Sequence, residues 1–163
     1  MTHPLVPPYD FPPPMRRLLE QAGWYPGRVA DPPVKLPASL SYPPEVLALL
    51  RELGGLRVGY PDYKGITFEP THADDDKLEA YSEELGRTLY PIGVTAEWWD
   101  VCVDMHGSVY KLGNWFALAG KTFVAGLSHA LFESTPGLQL NEDDHTWGPD
   151  RLVITWPELP SST

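Results

Sequence analysis

The chain predicts an α+β fold, with helices packed on an antiparallel sheet. Three observations lead there. Two segments of helical periodicity come first, short alternating segments fill the middle, and another helical stripe follows the clearest hairpin. Twelve of the 19 prolines fall in the first 44 residues, so regular structure there is confined to short pieces between extended turns. The longest aliphatic run is the five residues Val46 to Leu50, far short of the ~20 that span a bilayer.

The elements follow in order. Met15, Leu18, Leu19 and Ala22 make an i, i+3, i+4, i+7 stripe, which predicts a first helix ending near Gly23. Val46, Leu49, Leu50 and Leu53 repeat the stripe, with Pro43-Pro44 as the start and Gly54-Gly55 as the stop. Two short β segments come next, Leu56 to Gly59 and Ile66 to Glu69, with Asp62 to Gly65 turning between them. A third helix turns Leu78, Tyr81 and Leu85 inward and its acids mostly outward. One of Asp74 to Asp76 caps it, and their negative charge suits a helix N-terminus.

A hairpin occupies the centre. Trp98 to Asp104 (WWDVCVD) alternates, Met105-His106-Gly107 turns, and Ser108 to Gly113 (SVYKLG) returns, with Trp99 expected under the sheet. Two registers are open. A three-residue loop with Gly107 left-handed sets Asp104 against Ser108 and Cys102 against Tyr110, whereas a two-residue turn at His106-Gly107 sets Val103 against Tyr110. Asp before the loop and Gly ending it favour the first. A slip of one residue would exchange the two faces.

Gly120-Lys121-Thr122 has the look of a phosphate-binding loop. That motif, however, needs a glycine five positions before Gly120, where Trp115 stands, and Gly113 is too far back. The better reading is a helix capped by Thr122, with Phe123, Leu127 and Leu131 on its apolar face. Arg151 to Trp156 (RLVITW) reads as a possible last strand.

Hydrophobic residues make up 42% and aromatics 12% of the 163 residues, a composition that folds. The first ten residues lack the basic start and apolar stretch of a secretory signal, and one cysteine allows no internal disulfide. Both point to the cytoplasm. The net charge of −10 is concentrated. Residues 69–84 hold Glu69, Asp74, Asp75, Asp76, Glu79, Glu83 and Glu84 against Lys77 alone, and the tail adds Glu142, Asp143 and Asp144. Such a chain is a poor direct ligand for nucleic acid, which is bound through Lys and Arg. Its natural complement is a basic protein surface. Asp74, Asp75, Asp76, Glu79, Glu83 and Glu84, followed by Glu142, Asp143 and Asp144, are the candidate docking residues.

The search for catalytic residues finds no HExxH, no G-x-S-x-G and no deaminase zinc signature. Cys102 lies between two valines in mid-strand and reads as a packed or half-exposed thiol. Asp143-Asp144-His145, and His72 with Asp74 and Asp76, lack recognisable metal-ligand spacing and read as solvated acidic loops. No cofactor or metal is expected.

Several phrases together resemble a known family. They are LLEQAGWYPGR (Leu18 to Arg28), YPPEVLALLRELGGLRV (Tyr42 to Val58), LGRTLYPIG (Leu85 to Gly93), and WWDVCVDMHGSVYKLG followed by GKTFVAGLSHALF. In this order they are similar to the SUKH superfamily, above all to its third subfamily of bacterial immunity proteins. The resemblance implies the Smi/Knr-like α+β fold, no catalytic residues, and a role in neutralising a secreted polymorphic toxin inside the producing cell. Toxins of such systems are often nucleases or nucleic-acid deaminases. The expected organisation is a proline-rich extension over 1–10, an immunity domain over 11–133, and a C-terminal extension over 134–163 with one possible strand at 151–156. Two other readings stay open on sequence alone: a general interaction module of the same fold, and a small enzyme with an unrecognised site.

Overall fold

The computed structural model describes residues 3–59, 65–70, 75–113, 115–132, 138–141, 143–144 and 146–148. It contains four helices and a single eight-stranded antiparallel sheet. In chain order the elements are α1 (Pro13–Gln21), α2 (Pro44–Leu53), β1 (Arg57–Val58), β2 (Ile66–Thr67), α3 (Asp75–Leu85), β3 (Tyr90–Thr95), β4 (Asp100–Val103), β5 (Val109–Leu112), β6 (Phe116–Gly120), α4 (Phe123–Phe132), β7 (Leu138–Asn141) and β8 (Thr146–Trp147). The strands lie side by side in the order in which the chain makes them. The α+β expectation therefore holds, while the expected strand at 151–156 and the turn at Asp62 to Lys64 lie outside the described residues.

The side-chain period of two splits the sheet into two buried faces. Val101, Val103 and Val109 point into one core, where they meet Met15 and Leu19 of α1, Leu49, Leu50 and Leu53 of α2, and Phe123 and Leu127 of α4. Cys102, Tyr110 and Leu112 point the other way, into a second core with Phe116, Leu118, Leu78 of α3 and Trp147 of β8. β5 is buried along its whole length because helices lie over both of its faces. Each large side chain fully buried this way contributes roughly 1.5–3 kcal/mol.

The first helix begins at Pro13 and the second at Pro44, both tolerated because the first turn of a helix has no partner for its N–H groups. The described N-terminal residues are part of the fold. Leu5 is fully buried, and the Tyr9 ring packs against Phe11 and Phe123 with centroids 5.2 Å from each. Four strands, β3, β6, β7 and β8, were not foreseen from the sequence. β3 carries a proline and a register shift between Pro91 and Gly93, and β6 (FALAG) is rich in small residues.

The hairpin takes the three-residue-loop register. Cys102 pairs with Tyr110, the Asp104 N–H donates to the Ser108 carbonyl at 3.1 Å, and Gly107 has φ +90°. The GKT segment is a packing device. Thr122 Oγ1 accepts the Ala125 N–H at 3.3 Å at the start of α4. A Cβ on Gly120 would stand 2.6 Å from the Gly126 nitrogen, and one on Gly126 would collide with Val109, so these glycines let α4 lie close against the sheet.

Candidate protein-binding face

The acidic helix is seated by its apolar side. Leu78 is buried, Tyr81 and Leu85 are half-buried, and the Tyr81 ring stacks on Phe116 at 4.3 Å and 13°. With that side fixed, helical spacing sends Asp76, Glu79 and Glu83 to solvent as an i, i+3, i+7 stripe. Glu84 is half-buried, so it does not project with the others. Asp74, Glu142 and the side chain of Asp75 lie outside the described residues. Asp143 and Asp144 are exposed, but Asp144 Oδ1 accepts the Thr146 N–H at 3.2 Å and its hydroxyl at 2.7 Å, which ties that carboxylate into its own turn. Trp147 beyond it joins Leu78 in the second core, so both acidic segments are anchored there.

Beside the stripe lies a cleft of about 380 Å³, lined by Glu79 and Glu83 and by Leu40, Leu78, Ser39 and Ser82 among others. Two carboxylates above an apolar floor suit a lysine or arginine. The methylene stem covers the leucines, and the charged head meets the acids.

Two buried carboxylates escaped sequence reasoning, and both are structural. Asp104 is fully buried. Its Oδ1 accepts the N–H groups of His106 (2.8 Å) and Ser108 (3.1 Å), while Oδ2 accepts the Tyr110 hydroxyl (2.7 Å) and Arg87 Nη1 (2.9 Å). Four donors saturate a carboxylate. Burial, then the neighbouring Asp104 charge and hydrogen bond, push the Tyr110 hydroxyl well above the usual phenol range, with Arg87 opposing. Glu52, 3% exposed, accepts Trp24 Nε1 at 3.2 Å and the Gly27 N–H at 2.7 Å. It borders a cleft of about 620 Å³, whose walls include Arg16, Arg28, Arg51, Trp24 and Tyr9.

Cys102 is fully buried, and desolvation, reinforced by Asp100, pushes its thiol far up, the opposite of what a nucleophile requires. Among the described residues no group of three or more His, Cys, Asp or Glu could hold a metal, and no described helix is long and apolar enough to cross a membrane.

Trp99 departs from the expectation of burial under the sheet. It is half-buried, stacks on Trp115 with centroids 6.1 Å apart and 25° between planes, and packs so close to Gly113 that a Cβ there would collide with it. Lys111, 4% exposed, brings its ammonium 5.6 Å from the Trp99 ring centre. That burial lowers the Lys111 pKa, partly offset by Glu97. Trp115 is 53% exposed and Trp98 is 77% exposed. Trp98 also has φ +68°, a left-handed conformation that costs a bulky residue roughly 1–3 kcal/mol. The WW dipeptide is the only sequence signal of this cluster, and alternation alone does not tell which ring is exposed.

The described structure is thus an antiparallel sheet covered on both faces, with an acidic helix and an aromatic cluster at its surface. Residues 11–131 match the SUKH-3 immunity protein family, about three-quarters of the chain, and the protein belongs to that family. It is thus an immunity protein by family, and its partner by implication is a toxin. No curated protein and no solved structure matches the chain.

Proposed function

We propose that this protein neutralises a cognate polymorphic toxin in the cytoplasm of the producing cell, by direct protein–protein contact and without chemistry of its own. The toxin's basic surface docks on the acidic side of α3. The observation that carries the reading is the stripe of Asp76, Glu79 and Glu83 above a cleft whose polar wall includes two of those carboxylates. Asp74, Asp75 and Glu84 extend the same run, and Glu142, Asp143 and Asp144 supply a second acidic segment. A toxin acting on nucleic acid, a nuclease or a nucleic-acid deaminase, fits best, because its substrate groove must itself be basic to hold a polyanion. An acidic protein of net charge −10 competes for that groove.

The experiment is co-expression with the product of the adjacent gene. The expected result is a complex that survives affinity purification and rescues growth of cells making that product. Absence of both a complex at low salt and growth rescue would refute the reading.

A further inference from the structure

We infer that Trp98, Trp99 and Trp115, carried by the turns after β3 and β5, form the apolar anchor of the toxin complex; this rests on the toxin-binding reading above. Three features show a surface prepared in advance. The turn between β3 and β4 is locked at both ends: the Trp98 N–H donates to the Thr95 carbonyl at 3.0 Å, the Trp99 N–H to Thr95 Oγ1 at 3.0 Å, and the Thr95 N–H to the Trp99 carbonyl at 2.8 Å. That turn holds Trp98 left-handed and exposed, an arrangement glycine would adopt without strain. Trp99 and Trp115 are stacked, with Lys111 and Gly113 fixing the inner ring. A rigid indole surface loses little side-chain freedom on binding, which is why Trp is enriched at interface hot spots.

The occupant follows from charge. A second copy of this chain would bring −10 against −10, and a nucleic acid, itself a polyanion, would meet the same overall repulsion. Lys77 of α3 reaches the Gly113 carbonyl at 3.4 Å, in the turn that also carries Trp115. A groove of about 220 Å³, lined by Trp98, Thr95, Val94, Arg57 and Glu69 among others, opens beside Trp98 and can take one protruding side chain. Exposed indoles on a chain of net charge −10 fit a basic protein that presents an apolar side chain inside a cationic rim.

The test uses the purified product of the adjacent gene as probe, titrated calorimetrically against full-length protein. Trp98→Gly should melt at or above the wild-type temperature, since glycine suits φ +68°, yet bind at least about thirtyfold more weakly, the fold-change of a hot spot. Trp115→Ala should lose a similar factor, and both indoles should be protected from oxidative footprinting in the complex. Unchanged affinity in both variants, alongside loss on charge reversal of α3, would overturn the platform while leaving toxin binding intact. No binding by wild type would instead bring down the functional reading and this inference with it. Concentration-dependent dimerisation, or oligonucleotide binding, abolished by Trp98→Gly would assign the platform to another occupant and overturn the proposal.

Discussion

Asp104 shows how much one residue organises. It follows β4, closes the turn through two backbone N–H groups, and ties Arg87, which precedes β3, to Tyr110 in β5. Asp104→Ala should therefore cost about 3–5 kcal/mol, since it strips a buried carboxylate from its partners. Urea unfolding measures this, and a loss below ~1 kcal/mol would mean that water replaces the carboxylate. The same interior sets an alkaline limit. Tyr9, Tyr42 and Tyr110 start from an ordinary value of 10.0 and Cys102 from 9.0, and burial raises all four in the folded state. The folded protein then holds protons that the unfolded chain releases, so their contribution is complete below pH 9 and is lost as pH climbs through 9–10 and beyond. Lys111, shifted down, works weakly the other way. The melting temperature should fall steadily above pH 9, and a flat profile to pH 11 would contradict this burial. At this scale the sequence was half legible. Asp before a loop and Gly107 after it announce the turn, but Arg87 is 17 residues from Asp104 and no local pattern joins them.

At the scale of elements, what periodicity could see it saw. The stripes of α1, α2 and α4 place Leu19, Leu50 and Leu127 inside, where each is buried. Leu50→Ala should cost ~2–5 kcal/mol, read as a lower melting temperature. Gly126→Ala should destabilise by about 1–3 kcal/mol, because the added methyl has no room against Val109. Lys121, by contrast, is exposed, so Lys121→Ala should leave neutralisation near wild type. Micromolar ATP binding by calorimetry, lost in that variant, would reopen the phosphate-loop reading. The strands that went unseen did so for physical reasons. Pro91 argues against a strand until a bulge accommodates it, and the alanines and glycine of β6 have low β propensity and gain their place from tertiary packing.

Over the whole molecule, charge placement is the strongest functional signal, and it was readable as composition. Its geometry was less so. Helical phase foretold that Asp76, Glu79 and Glu83 face solvent, but not that Glu84 is half-buried or that Asp144 serves its own turn. Replacing Asp75, Asp76, Glu79 and Glu83 with lysine should leave the fold intact, because Asp76, Glu79 and Glu83 are exposed and such changes shift stability by under ~0.5 kcal/mol each. Association with the adjacent gene's product should slow at least about tenfold and lose much of its salt dependence, as stopped-flow mixing would report. A wild-type rate at low salt would remove α3 from the interface.

The sheet's strand order also bears on timing. Each described strand after the first hydrogen-bonds to the one made just before it, and only the β2–β3 and β6–β7 pairings wait for an intervening helix. Loop-closure entropy is small for such neighbours, and folding can follow synthesis closely, hairpin by hairpin. A protective protein gains from this, because each new molecule becomes competent soon after it leaves the ribosome. The main refolding phase after dilution from urea should fall in the millisecond range, with β4 and β5 among the first amides protected from exchange.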